Sequence, residues 1–138
     1  MTFDLAVFAE TINDAWNSHD MEKILRFYAP DCVSDDVGQA SQLRGREGLR
    51  LMLEMYWRAF PDLRFKITDT VVQDSRLAIA WMAEGTHEGT IMNIPPTGHQ
   101  VEVRGMSIVD VQDGMVVRAQ YIWDMAGMLR HMGLLPQL

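Results

Sequence analysis

Leu77-Ala78-Ile79-Ala80-Trp81-Met82-Ala83-Glu84-Gly85-Thr86-His87 puts Leu77, Ile79, Trp81, Ala83, Gly85 and His87 on one side of a two-residue repeat. Glu84, Thr86 and then Glu88 fall on the other side. A period of two with one apolar side is a long β-strand that turns one face to a core. The same period continues in both directions. Upstream, Leu63, Phe65 and Ile67 alternate with Arg64, Lys66 and Thr68, and Asp74-Ser75 supplies a turn. Downstream, residues 93–98, which hold Pro95-Pro96-Thr97-Gly98, read as a hairpin loop into a strand over 101–111. Gln112-Asp113-Gly114 then turns the chain into a last strand over 115–123. The three long strands predict an antiparallel meander.

Outside this block the period is helical. Leu5, Phe8, Ile12 and Trp16 mark one stripe of a first helix over about 3–17. Asp20 is an N-cap for a second stripe through Met21, Ile24, Leu25 and Tyr28, which Pro30 is expected to stop. A short extended piece near 32–34 follows. Gly45-Arg46-Glu47-Gly48 leads into a third helix through Leu49, Met52, Leu53, Tyr56 and Phe60, closed by Pro61. At the far end Asp124 caps a short helix through Met125, Met128, Leu129 and Met132, which Gly133 and Pro136 end. Helices followed by long antiparallel strands predict one α+β domain over 1–138, with a curved, mostly antiparallel sheet wrapped around the N-terminal helices. A sheet of that kind leaves a conical, largely apolar pocket.

Composition excludes several classes of function. With 138 residues, 48% hydrophobic and 22% charged, the chain has the makings of one folded core. A net charge of −7 disfavours nucleic acid or an anionic membrane as partner. The single cysteine, Cys32, excludes an internal disulfide and reads as packing. No apolar run is long enough to span a membrane, so a cytoplasmic protein is expected. The four histidines, His19, His87, His99 and His131, share no metal-ligand spacing, and no nucleotide fingerprint is present. We expect neither metal nor cofactor. Eleven methionines are an unusual stock of flexible apolar side chains.

Three residues are candidates for chemistry. His87 shares its strand face with Trp81 and Ile79 and is either a proton shuttle at a pocket mouth or a hydrogen-bonded structural histidine. Tyr121 points inward with Trp123 and is either a donor to a substrate carbonyl or a core tyrosine. Asp124 is an N-cap by position and a base only if its carboxylate turns into the pocket. Ser34 and Asp36, on one face of the short strand, are candidate polar contacts, although Asp35-Asp36 before Gly38 has the pattern of a solvated turn. Trp57, Ser107 and Trp123 complete the expected pocket lining.

Gly85-Thr86-His87-Glu88-Gly89, Ile94-Pro95-Pro96-Thr97-Gly98, Asp113-Gly114, Trp123-Asp124 and residues 129–133 together resemble the SnoaL-like polyketide cyclases of the nuclear transport factor 2-like superfold. The resemblance runs from the first helix to Gly133. It implies a cone-shaped α+β barrel, a homodimer, and a cofactor-free ring closure in which a base removes a proton next to a carbonyl. It places the family's acid/base aspartate at Tyr121, its histidine partner at Ser107 and a polar pocket residue at Ser34, while His87 is retained. A phenol with a pKa of ~10 is no general base at neutral pH, so the cyclase reaction does not transfer directly.

Three readings follow as expectations, two of them functions of the pocket. One is a cofactor-independent cyclase, lyase or isomerase acting on a hydrophobic carbonyl compound through His87 and Tyr121, with Asp124 or Asp36 as an alternative base. The other is a protein that binds a small hydrophobic molecule in the same pocket without turning it over. A third is a structural dimerisation domain with its pocket filled by Trp57, Trp81 and methionines. Met82 and Met106 lie on the strand faces opposite His87 and Ser107, where a second subunit would cover them.

Overall fold

A computed structural model describes residues 3–39 and 41–137. Within it the Asp4 carboxylate opens α1 (Leu5–Asn17) by accepting from the backbone N–H groups of Ala6 at 3.0 Å and Val7 at 3.2 Å. Asp20 starts α2 (Met21–Leu25) in the same way, through Lys23 N–H at 3.2 Å. The second helix ends at Leu25 and does not reach Tyr28. Tyr28 instead begins β1 (Tyr28–Asp36), because its hydroxyl is held in the core by Trp16 Nε1–H at 3.0 Å and its neighbour Phe27 accepts from Val116 N–H at 2.8 Å. Pro30 therefore stops no helix. It sits where the pairing of β1 with β6 is irregular, between Tyr28 and Val33, and its missing N–H breaks no regular ladder there.

The chain continues through β2 (Leu43–Arg44), α3 (Gly45–Ala59), β3 (Arg64–Gln73), β4 (Arg76–Thr86), β5 (Gln100–Gln112), β6 (Met115–Trp123) and α4 (Met125–His131). The strands form one six-stranded sheet in the order β2-β1-β6-β5-β4-β3. Strands β3 to β6 are the expected meander, and β1 joins it parallel to β6. Strand β2 was not expected: two residues carry no period. Irregularities between Ile67 and Asp69 and between Asp110 and Val111 strengthen the local twist and bend the sheet around α1 and α3. The curl stays open, with β2 and β3 as its edges, so the cone is an unclosed α+β sheet and not a sealed barrel.

Register fixes what faces where. On the concave side Ile79, Ser107 and Tyr121 form one cross-strand row, and Trp81, Gly105 and Trp123 form the next. On the convex side Ala80, Met106 and Ile122 alternate with Ala78, Ile108 and Gln120. One core cluster lies under α1 and the start of α3, around Leu49, Leu53, Ile24 and Cys32. A second fills the narrow end, where Phe60, Ile91, Val101, Met128 and Met132 meet. The 88–98 loop seals that end by docking on the C-terminus of α3, with Glu88 and Gly89 N–H both donating to Ala59 C=O. The approach is so close that a Cβ on Gly89 would lie 2.0 Å from the Arg58 carbonyl oxygen. Gly89→Ala is therefore expected to lower the unfolding free energy by about 1–3 kcal/mol. Denaturant titration should show it beside an exposed control, Glu88→Ala, that moves stability by less than about 0.5 kcal/mol.

Candidate functional site

The two concave rows, with α1 and α3 over them, line a partly open cavity of about 150 Å³. Its wall is almost wholly apolar. The polar exceptions among the described residues are Asn13, Asp36, Ser107 and the three tyrosines Tyr28, Tyr56 and Tyr121, with three indole rings beside them.

Asp36 is the only carboxylate on this wall among the described residues, and it is buried at 4% exposure. The solvated turn expected at Asp35-Asp36 is thus not what forms. Asp36 is the last residue of β1, in register with Tyr121 on β6, and the parity that buries Cys32 and Ser34 buries it too. Its Oδ2 accepts a short hydrogen bond from the Tyr56 hydroxyl of α3 and another from Trp123 Nε1–H at 3.3 Å. Its Oδ1 accepts from Gly38 N–H at 3.0 Å. Three donors leave about one of the four lone-pair sites of a carboxylate free.

Beside it lies a group of hydroxyls with unused capacity. The buried side-chain oxygens of Tyr121 and Ser34 make no hydrogen bond of ordinary geometry, although Tyr121 adjoins both Ser34 and Tyr28, whose oxygen accepts from Trp16 Nε1–H. On the other side of Tyr121 the Ser107 hydroxyl accepts from Trp81 Nε1–H at 2.8 Å. Trp81 lies flat over Gly105, where a Cβ would come within 2.3 Å of its ring.

The remaining sequence candidates lie elsewhere. His87 is fully buried, but it sits just past the end of β4, eight residues beyond Ile79, the position in register with Tyr121. At the rise of a strand this is about 26 Å. The expected pairing of His87 with Tyr121 therefore does not form, because parity places two residues on one face without placing them at one depth. His87 Nδ1 accepts from Thr97 N–H at 3.2 Å, and its 2.9 Å contact with the Thr97 hydroxyl ties it to the 88–98 loop as well. Asp124 is exposed, and its carboxylate accepts from Gly127 N–H at 2.8 Å as the cap of α4, turned away from the cavity. Trp57 is also off the wall: its ring stacks on His19 at 4.9 Å, a partner presented by a turn with φ 57°. Trp123 and Ser107 do line the cavity, and Ser34 lies behind Tyr121. The sequence reading missed Tyr56 and Trp81 as polar partners and Tyr28 as a wall residue. All three carry an apolar-stripe signal, and nothing in a stripe marks which hydroxyl or indole meets a carboxylate or a serine.

All three tyrosines of the chain line this cavity, and their ionisation reports its dryness. Burial pushes Tyr28 up to about 12. Burial, and then the adjoining Asp36 carboxylate, pushes Tyr56 well above the ordinary value of 10.0. Tyr121 is raised by burial and by neighbouring Tyr28. The folded chain keeps these protons after an unfolded chain has lost its own, so their stabilisation is complete below pH ~10 and is lost as the pH rises through the folded values. Tyrosinate absorbance should stay flat to about pH 11 and then rise together with loss of the folded circular dichroism signal. A separate tyrosine titrating near pH 10 would contradict the burial of these three hydroxyls.

A family model described as SnoaL-like polyketide cyclase matches residues 6–132. Among solved structures the chain is similar to IdmH of Streptomyces antibioticus, a candidate polyketide cyclase, with 27% identity, a TM-score of 0.83, and coverage of 95% of this chain and 99% of that one. It is similar to AclR of Streptomyces galilaeus, a candidate hydroxylase, with 25% identity, a TM-score of 0.84, and coverage of 96% and 87%. TsrD of Streptomyces laurentii shares the fold, with 23% identity, a TM-score of 0.84, and coverage of 97% and 100%. No curated protein matches the chain. The open α+β sheet, the helices that cover it and a family match over almost its whole length agree: the chain belongs to the SnoaL-like polyketide cyclase family.

Proposed function

We propose that this chain is a cofactor-independent enzyme that moves a proton next to a carbonyl group in a small, mostly apolar compound, with Asp36 as the base and Tyr121 as the donor to the carbonyl oxygen. The observation that carries the reading is a buried carboxylate with a free lone pair, set one strand away from an unpartnered hydroxyl in an otherwise apolar cavity. The C–H bond next to the carbonyl breaks toward Asp36 as its electron pair moves onto the carbonyl oxygen. Tyr121 O–H stabilises that oxygen as its charge grows. The proton then returns to the same or a conjugated carbon, or the enolate closes a ring on a second carbonyl of the same molecule. Such groups are worth about 10²–10⁴-fold when correctly placed. His87 and Asp124 have no part in it: one holds a loop at the narrow end and the other caps α4.

The test is hydrogen exchange into acetophenone in deuterated water, followed by mass spectrometry. The wild-type chain should accelerate it, Asp36→Asn should lose about 10²–10⁴-fold and Tyr121→Phe about 10²-fold, with the folded circular dichroism spectrum intact. Binding of acetophenone without any exchange would favour the other reading, a carrier of small hydrophobic molecules, for which the saturated Asp36 Oδ2 is the supporting observation.

The proposal includes a homodimer through the convex sheet face. Val71, Met106 and Ile122 are 63%, 62% and 59% exposed there, an apolar patch that a second copy would cover. Met82, expected beside Met106, is half-buried at the margin of the patch. Light scattering should give a dimer mass for the wild-type chain and a monomer mass for Met106→Glu. A monomeric wild type would end this part of the reading.

A further inference from the structure

We propose that Trp81 limits the substrate to a single-ring carbonyl compound of about six to ten heavy atoms, a size that follows from the cavity. The inference rests on the reading of Asp36 and Tyr121 given above and adds to it the class of molecule they act on. A cavity of about 150 Å³ matches one that takes up benzene, and it is about half the smallest size usual for pockets that bind drug-sized ligands. Two or three fused rings exceed that volume and would have to displace the wall or project through its open side.

The wall responsible is the indole of Trp81. Trp81, Gly105 and Trp123 form the concave row next to the one that carries Tyr121, and Trp123 at the end of that row donates to Asp36. Gly105, with no side chain, leaves a gap in the floor between the two tryptophans, and the Trp81 ring fills it. The ring is fixed from several sides. Its Nε1–H donates to Ser107 Oγ at 2.8 Å, its backbone is paired on both edges by Ile67 and Gly105, and Phe65 packs edge-on at 5.4 Å. A larger ligand requires the ring to swing out, which breaks the bond to Ser107 and leaves a buried serine hydroxyl unpartnered. The indole is thus a built wall and not a mobile flap, and the size limit is set by sequence at one position.

Binding of acetophenone, 1-acetylnaphthalene and 9-acetylanthracene, followed by ligand-observed NMR, tests the inference separately from turnover. The wild-type chain should bind the one-ring ketone at least about tenfold more tightly than the three-ring one, and Trp81→Leu should reduce or reverse that order. Trp81→Phe, a milder truncation, should move it the same way if Trp81→Leu does not fold. Equal wild-type binding of one and three rings overturns the inference, as does an order unchanged by both Trp81 variants. The expected order without any hydrogen exchange upholds the size limit while removing the assignment of Asp36 as a base.

Discussion

The Asp36 carboxylate joins three elements that are distant in sequence. It ends β1, accepts from Tyr56 of α3, and accepts from Trp123 at the end of β6. The spacing between α3 and the sheet is therefore set at a polar contact, and the apolar cavity exists between that contact and the concave rows. A buried carboxylate is an expensive way to fix a helix on a sheet, because ionised groups lose their hydration on burial and its side-chain donors here are neutral. Apolar packing would hold the same elements at less cost. Local rules of stability are broken at functional sites more often than elsewhere, and this is where the concave wall breaks them.

The position that the family resemblance gives to an acid/base aspartate is occupied here by Tyr121, and the position of its histidine partner by Ser107. Neither residue is an idle replacement. Ser107 is taken up by Trp81 Nε1–H, and Tyr121 keeps a hydroxyl with no partner. The one carboxylate on the wall among the described residues, Asp36, is the register neighbour of Tyr121, one strand spacing away. The cavity thus carries a carboxylate on β1 and a hydroxyl on β6 side by side in register. Similar structures that carry the words cyclase and hydroxylase in their names make the same point: this sheet and its helices specify a container, and the residues along two cross-strand rows specify its contents.

The fold was legible because period two survives along β3 to β6, and because Asp20 and Asp124 are caps in the structure as in the pattern. The boundary after α2 was not legible. Tyr28 fits the helical stripe as well as the strand, and only its tertiary bond to Trp16 decides between them. The site was half legible. Parity correctly put Tyr121, Trp123 and Ser107 on the concave face. It also put His87 on that face's continuation, but a repeat of two carries no information about depth, and His87 lies a strand's length from the reacting groups. Asp36 shows the opposite failure. Its parity with Cys32 and Ser34 was in the sequence, yet the local turn chemistry of Asp35, Asp36 and Gly38 outweighed it. Trp57 was misplaced because its partner His19 takes a left-handed conformation that no pattern announces.

Three buried side-chain atoms have no hydrogen-bond partner among the described residues: Ser34 Oγ, Tyr121 Oη and His87 Nε2. Such atoms are rare in folded proteins, and each requires a physical reason. For His87 the reason is local. Nδ1 does the structural work by holding Thr97, and the ring packs against Phe60 at a centroid distance of 5.6 Å. Ser34 and Tyr121 adjoin one another beside a carboxylate, and Tyr121 borders a cavity of about 150 Å³ that a single ring would fill. An orphaned polar atom alone does not distinguish a strained structural residue from a binding group. The cavity makes the difference: Tyr121 lies on its wall and His87 does not, so the spare hydrogen-bonding capacity of Tyr121 faces a space that a small molecule can enter.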